Sequence, residues 1–202
     1  MGLFLLDKPW LASAKSDAYD GAGALRVATP MFGLRVFLVV ITILFSLFAS
    51  AYLMRMELAD WRPLPEPWLL WPNTVLLLLS SGALHWAWHA ARREKIEAVR
   101  SGLLVSGAFA IAFLAGQILA WRQLGALGYF AAANPANAFF YLLTGLHGLH
   151  LTGGLVAWGR TVVKLQRGVA PARLRASIAL CAVYWHFLLL VWLALFALLL
   201  IT

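Results

Sequence analysis

Five stretches of this chain are apolar over about 20 residues each, roughly Val36–Met54, Trp71–Ala91, Gly102–Trp121, Ala138–Trp158 and Ser177–Ile201. About 20 apolar residues are what a helix needs to cross the hydrocarbon of a bilayer. Hydrocarbon offers backbone N–H and C=O groups no water, so a segment inside it must satisfy them internally. The sequence therefore predicts an all-α fold: a polytopic membrane helix bundle with five transmembrane helices. Residues 32–202 form that domain, and residues 1–31 form a separate N-terminal segment at the membrane surface. At 63% hydrophobic and 12% charged residues, the chain lies outside the range of ordinary soluble domains.

The charges have a direction. Lys8, Lys15, Arg26 and Arg35 precede the first span; Arg92, Arg93, Lys95 and Arg100 follow the second; Arg160, Lys164, Arg167, Arg173 and Arg175 follow the fourth. The opposite side carries Arg55, Arg62 and Arg122. Thirteen basic residues face three, alternating as five helices require. The positive-inside rule then puts the N-terminus in the cytoplasm and the C-terminus outside. The net charge of +8 reads as topology and contact with anionic lipid, not as a nucleic-acid site.

Outside the spans the sequence carries little chemistry. Leu3–Leu6 is too short for a signal-peptide core, and Asp7 follows at once. Gly21-Ala-Gly-Ala24 lacks the further glycine and lysine of a nucleotide loop. The first outward loop, Asp60–Trp68, is stiffened by three prolines. Trp71, Trp121 and Trp158, with Arg92 and Arg93, fall near span ends, where they are candidates for holding lipid headgroups and chains. The lone cysteine, Cys181, gives no disulfide and no metal motif.

The polar residues inside the spans are the functional candidates. His147 and His150 lie three residues apart in Tyr141-Leu-Leu-Thr-Gly-Leu-His-Gly-Leu-His-Leu-Thr-Gly-Gly154. Counting residues from the cytoplasmic side brings His186 to a similar depth. An intramembrane ionisable side chain marks a functional site by default, and the three imidazoles are expected to form one polar cluster with Gln117 and Thr144. Thr144, Gly148 and Thr152, four residues apart, predict a smooth packing face. His85 and His89 share a face of the second span, with His89 interfacial.

All eight acidic residues lie outside the span interiors. That argues against a stand-alone pump or transporter, which uses buried carboxylates to carry ions. Two readings of the histidines stay open. One is a haem b anchor, with His147 or His150 paired to His186 as axial ligands. The other is a set of interhelical hydrogen-bonding groups.

Several residue strings resemble subunit III of the haem–copper respiratory oxidases, the cytochrome c oxidase type. Phe139-Phe-Tyr-Leu-Leu-Thr-Gly-Leu-His-Gly-Leu-His-Leu-Thr-Gly-Gly154 is similar to that family's fourth-span signature in the five-helix form. Tyr184-Trp-His-Phe187 followed by Val191-Trp192 is similar to its last helix. Asn73-Thr74 with Ser80-Ser81, Gln117 with Trp121, and Gly33 with Ala51-Tyr52 match the earlier spans in order. The resemblance covers about residues 30–200. It implies no catalytic, haem or copper site on this chain, phospholipid as the bound cofactor, and support of proton uptake. It also implies a haem–copper catalytic subunit as partner in a bacterial cytoplasmic membrane. Nitric-oxide-reductase-associated homologues belong to the same superfamily and are the alternative. The sequence departs from the family where carboxylates usually stand: Ile41, Ala120 and Leu189 occupy those positions.

Overall fold

The computed structural model describes residues 9–63 and 67–201, with side chains described from residue 30 onward. Residues 1–8 of the expected surface segment and the centre of the proline loop lie outside the described residues. Five helices follow in order: α1 Pro9–Met56, α2 Leu70–Arg92, α3 Ile96–Ala126, α4 Pro135–Gln166 and α5 Pro171–Leu200. No strand occurs among the described residues. The chain separates into two units, Met1–Val39 and Val40–Thr202. The first is helical from Pro9, and its helix runs on through Pro30, where a proline inside a helix removes one backbone hydrogen bond. Residues 9–31 of the expected surface segment are helical. The second unit holds the end of α1 and the packed helices α2–α5.

Among the described residues, four helices are long and apolar enough to cross a membrane: α1 from Pro30, α3, α4 and α5. The expected fifth, α2, is shorter at 23 residues. It gives up apolar content to Asn73, Thr74, Ser80, Ser81, His85 and His89.

The helix boundaries follow local chemistry. Asn134 caps α4, its side-chain oxygen accepting from the Ala136 N–H, and Pro135 takes the first helical position. Gly168, at φ +63, turns the chain out of α4 in the left-handed region, and Pro171 opens α5.

Helix α2 packs on α3 and α5, and α4 packs on α3 and α5. Neighbours run antiparallel, since Thr74 pairs with Trp192 and Ser80 with Trp185. The core between them is filled by Leu77, Leu103, Phe113, Leu143, Trp185 and Trp192, each essentially inaccessible. Large apolar side chains such as Leu47, Val75, Ile111, Leu149 and Leu190 point outward instead. An apolar exterior of this kind is what hydrocarbon solvates and water does not. α1 buries only 17% of its most apolar stretch, against 44% for α5.

Glycines set two of the closest approaches. A Cβ on Gly107 of α3 would run into the indole of Trp158 on α4, and one on Gly116 would meet the amide of Asn73 on α2. The four-residue face expected on α4 is not the packed one. Thr152 is exposed, and the buried stripe is Phe140, Leu143, Thr144, His147, Leu151 and Gly154. A helix turns 3.6 residues per cycle, so a strict spacing of four drifts off the packed face within two turns.

Candidate functional site

The polar residues of the spans are gathered chiefly along the seam where α5 lies against α2. Trp192 donates its indole N–H to the Thr74 hydroxyl at 3.0 Å, and Thr74 in turn donates to the Leu70 carbonyl at 2.8 Å. About two turns deeper, Trp185 donates to the Ser80 hydroxyl at 2.9 Å, and Ser80 donates to the Ser106 carbonyl of α3 at 2.8 Å. Each hydroxyl therefore accepts one bond and gives one. In hydrocarbon an unpaired N–H or O–H has no water to turn to, so such closed relays hold helices together.

Next along α2 the seam turns to imidazole. Ser81 Oγ and His186 Nδ1 are hydrogen-bonded at 2.5 Å, and His186 Nε2 meets His85 Nδ1 at 3.3 Å. His89 stands against His85, ring centroids 4.7 Å apart. The result is a ladder, Ser81–His186–His85–His89, running from mid-depth toward the basic end of the bundle. His186 is half-buried; His85 and His89 are exposed.

The expected grouping of His147, His150 and His186 is distributed otherwise. His147 is fully buried, with neither ring nitrogen hydrogen-bonded. Its ring lies between Phe113 of α3 at 5.8 Å and Trp192 of α5 at 5.1 Å. His150 Nδ1 bonds the Leu146 carbonyl of its own helix at 2.8 Å, its ring 5.6 Å from Phe45 of α1. Its carbonyl accepts the Tyr184 hydroxyl at 2.9 Å. The three residues are thus divided among an aromatic box, the α1–α4 contact and the ladder. Thr144 accepts the Trp121 indole N–H at 3.1 Å and donates to the Phe140 carbonyl. Gln117 is buried with its amide unbonded, like the amide nitrogen of Asn73.

The candidate interface residues also separate. Trp158 donates to the Leu103 carbonyl at 2.9 Å, so Trp158 and Trp121 both tie α3 to α4. Trp71 is exposed, in a T-shaped contact with Phe196. Arg92 lies 5.2 Å above the Trp88 ring in cation–π contact, and Arg93 is exposed. Sequence reasoning missed the joining of His85 to His186. The four-residue spacing of His85 and His89 showed their shared face but not which helix that face meets.

The His147 ring lies beside those of Phe113 and Trp192, and His186 meets His85 directly. Among the described residues no three His, Cys, Asp or Glu side chains converge to hold a metal ion. Two of the three positions where carboxylates were noted as missing are sealed in the core, Ile41 and Ala120, at 1% and 0% exposure.

The loops at the opposite end are tied by separate contacts. Asn134 donates to the Arg62 carbonyl at 2.5 Å, and Tyr141 donates to the Tyr129 carbonyl at 3.0 Å. Arg55 grips Asp60 through both guanidinium nitrogens, and these hydrogen bonds hold the Asp60 carboxyl below its usual range.

Fold and seam define an integral membrane helix bundle in which Thr74, Ser80 and Ser81 of α2 are hydrogen-bonded to Trp192, Trp185 and His186 of α5. The family model for cytochrome c oxidase subunit III matches residues 14–201. A cytochrome c oxidase subunit 3 of Thermostichus vulcanus is 32% identical over 174 residues, covering 84% of this chain and 85% of that protein. One of a Synechocystis species is 34% identical over 178 residues, covering 83% of this chain and 73% of that protein. The chain belongs to the cytochrome c oxidase subunit III family.

Proposed function

We propose that this chain is subunit III of a bacterial cytochrome c oxidase in aerobic respiration, a non-catalytic subunit of the five-helix form. All five helices span the cytoplasmic membrane, α2 among them, with the N-terminus inside and the C-terminus outside. At 23 residues and 1.5 Å per residue, α2 reaches about 34 Å, enough for the hydrocarbon core. The subunit packs against a haem–copper catalytic subunit, which carries the haem and copper, and supports its proton uptake and sustained turnover. The observation that carries this reading is the α2–α5 seam: Thr74, Ser80 and Ser81 are the partners of Trp192, Trp185 and His186. The family-like strings of two distant spans meet, and what they do there is join helices.

Phospholipid is the bound cofactor of this reading. An apolar groove of about 290 Å3 runs between the second half of α1 and α5, lined by Phe45, Ala49, Phe187 and Leu195 among others. It suits an acyl chain. At the basic end, a cavity of about 390 Å3 between α3 and α4 is lined by Arg100 and Glu97 together with Leu104 and Val162, and suits a zwitterionic headgroup with the start of its chain.

The test is purification of the tagged chain from native membranes, with mass spectrometry and an optical spectrum. A large haem-bearing subunit should accompany it, whereas the chain expressed alone should show no Soret band. Purification as a homo-oligomer without a haem subunit would sink the oxidase reading. A stoichiometric haem on the isolated chain, lost in His147→Ala or His186→Ala, would turn the reading to a cytochrome anchor.

A further inference from the structure

The imidazole ladder lies on an open face. His85 and His89 are exposed, yet along the helix they stand only about 10 Å and about 5 Å from Arg92, the last residue of α2. With α2 in the membrane, His85 is at hydrocarbon depth, where ionisable side chains turn to the bundle interior or a polar partner rather than to lipid. His186 engages Nδ1 of His85, so Nε2 is the nitrogen that can serve a group outside the chain. This chain has no carboxylate of its own in any span interior to meet it.

A second observation falls on the same stripe. Gly82, one turn from His85, is exposed, and a Cβ there would have nothing within 4 Å. Among the described residues no contact calls for glycine at that point, and glycine in a helix costs about 1 kcal/mol relative to alanine. Small residues in membrane helices mark places where another helix comes close. Leu78 and Trp86, 45% and 52% exposed, flank it.

We propose that this face of α2, from Leu78 through Gly82 to His85 and His89, receives a membrane-spanning helix of the haem-bearing subunit, whose carboxylate meets His85. The inference rests on the oxidase reading above and names the surface by which the subunit docks.

The test uses the tagged full chain in its native complex and reads haem recovered per chain. Gly82→Leu should lower recovery at least ten-fold with the chain's own membrane level unchanged. Gly153→Leu, at an equally open position on α4, should leave it within two-fold. His85→Leu should lower recovery several-fold, and His85→Gln should keep most of it. Wild-type yield with Gly82→Leu, or equal loss with Gly153→Leu, overturns the proposal. Should Gly82→Leu reduce the chain itself, a spin label on Gly82→Cys decides: a label shielded within protein supports docking, and one exposed to lipid in a haem-retaining complex overturns it. If wild-type chain brings down no haem subunit, the oxidase reading fails rather than the docking surface.

Discussion

His147 on α4 and His186 on α5 are the same residue type in neighbouring helices, and their surroundings are opposite. His186 has both ring nitrogens engaged, by Ser81 and by His85. His147 has neither, and is held by the faces and edges of Phe113 and Trp192. One imidazole works through directed bonds, the other by filling space as an aromatic ring does. A histidine inside a membrane span is therefore no single kind of evidence. What it means depends on whether the facing helix offers a hydroxyl or a ring.

Substitutions that break this contrast have graded effects, measured as unfolding free energy in mixed micelles. Trp192→Ala should be the most damaging, by about 3 kcal/mol, because that ring walls His147, meets Phe113 edge-on and bonds Thr74. Gly107→Ala should follow, at roughly 1–3 kcal/mol, since the new methyl displaces the Trp158 indole and its bond to Leu103. His186→Phe should cost about 1–2 kcal/mol by stranding Ser81 and His85. His147→Phe should change stability by less than about 1 kcal/mol, because no hydrogen bond is lost and a ring is kept. A loss at His147 as large as at His186 would erase the distinction between the two sites.

The smallest effect belongs to the loop contact. Asp60 has a lowered carboxyl pKa because Arg55 donates to it. A depressed carboxyl adds stability above its unfolded-state pKa and loses it as pH falls through the folded one. Asp60→Asn should thus lower stability slightly at neutral pH and not at low pH, a difference that a pH series of unfolding curves would show. The Asp60 side chain is exposed, so the difference should be the least of the set.

The sequence by itself determined the helical class, the order of the elements and the cap at Asn134-Pro135. Each rests on local chemistry: apolar length for the spans, basic alternation for the expected topology, and side-chain reach to the backbone for the cap. The family strings were also legible, and so were the residues they contain. Pairing across helices was not legible. Counting residues placed three histidines at one depth, but depth does not say which way a side chain turns about its helix axis. Only the packing of α5 between α2 and α4 decided that His186 faces Ser81 and His85 while His147 faces Phe113 and Trp192. One residue corresponds to about 100° of rotation about a helix axis. How far each helix is turned is set by its whole apolar interface, not by any short string within it.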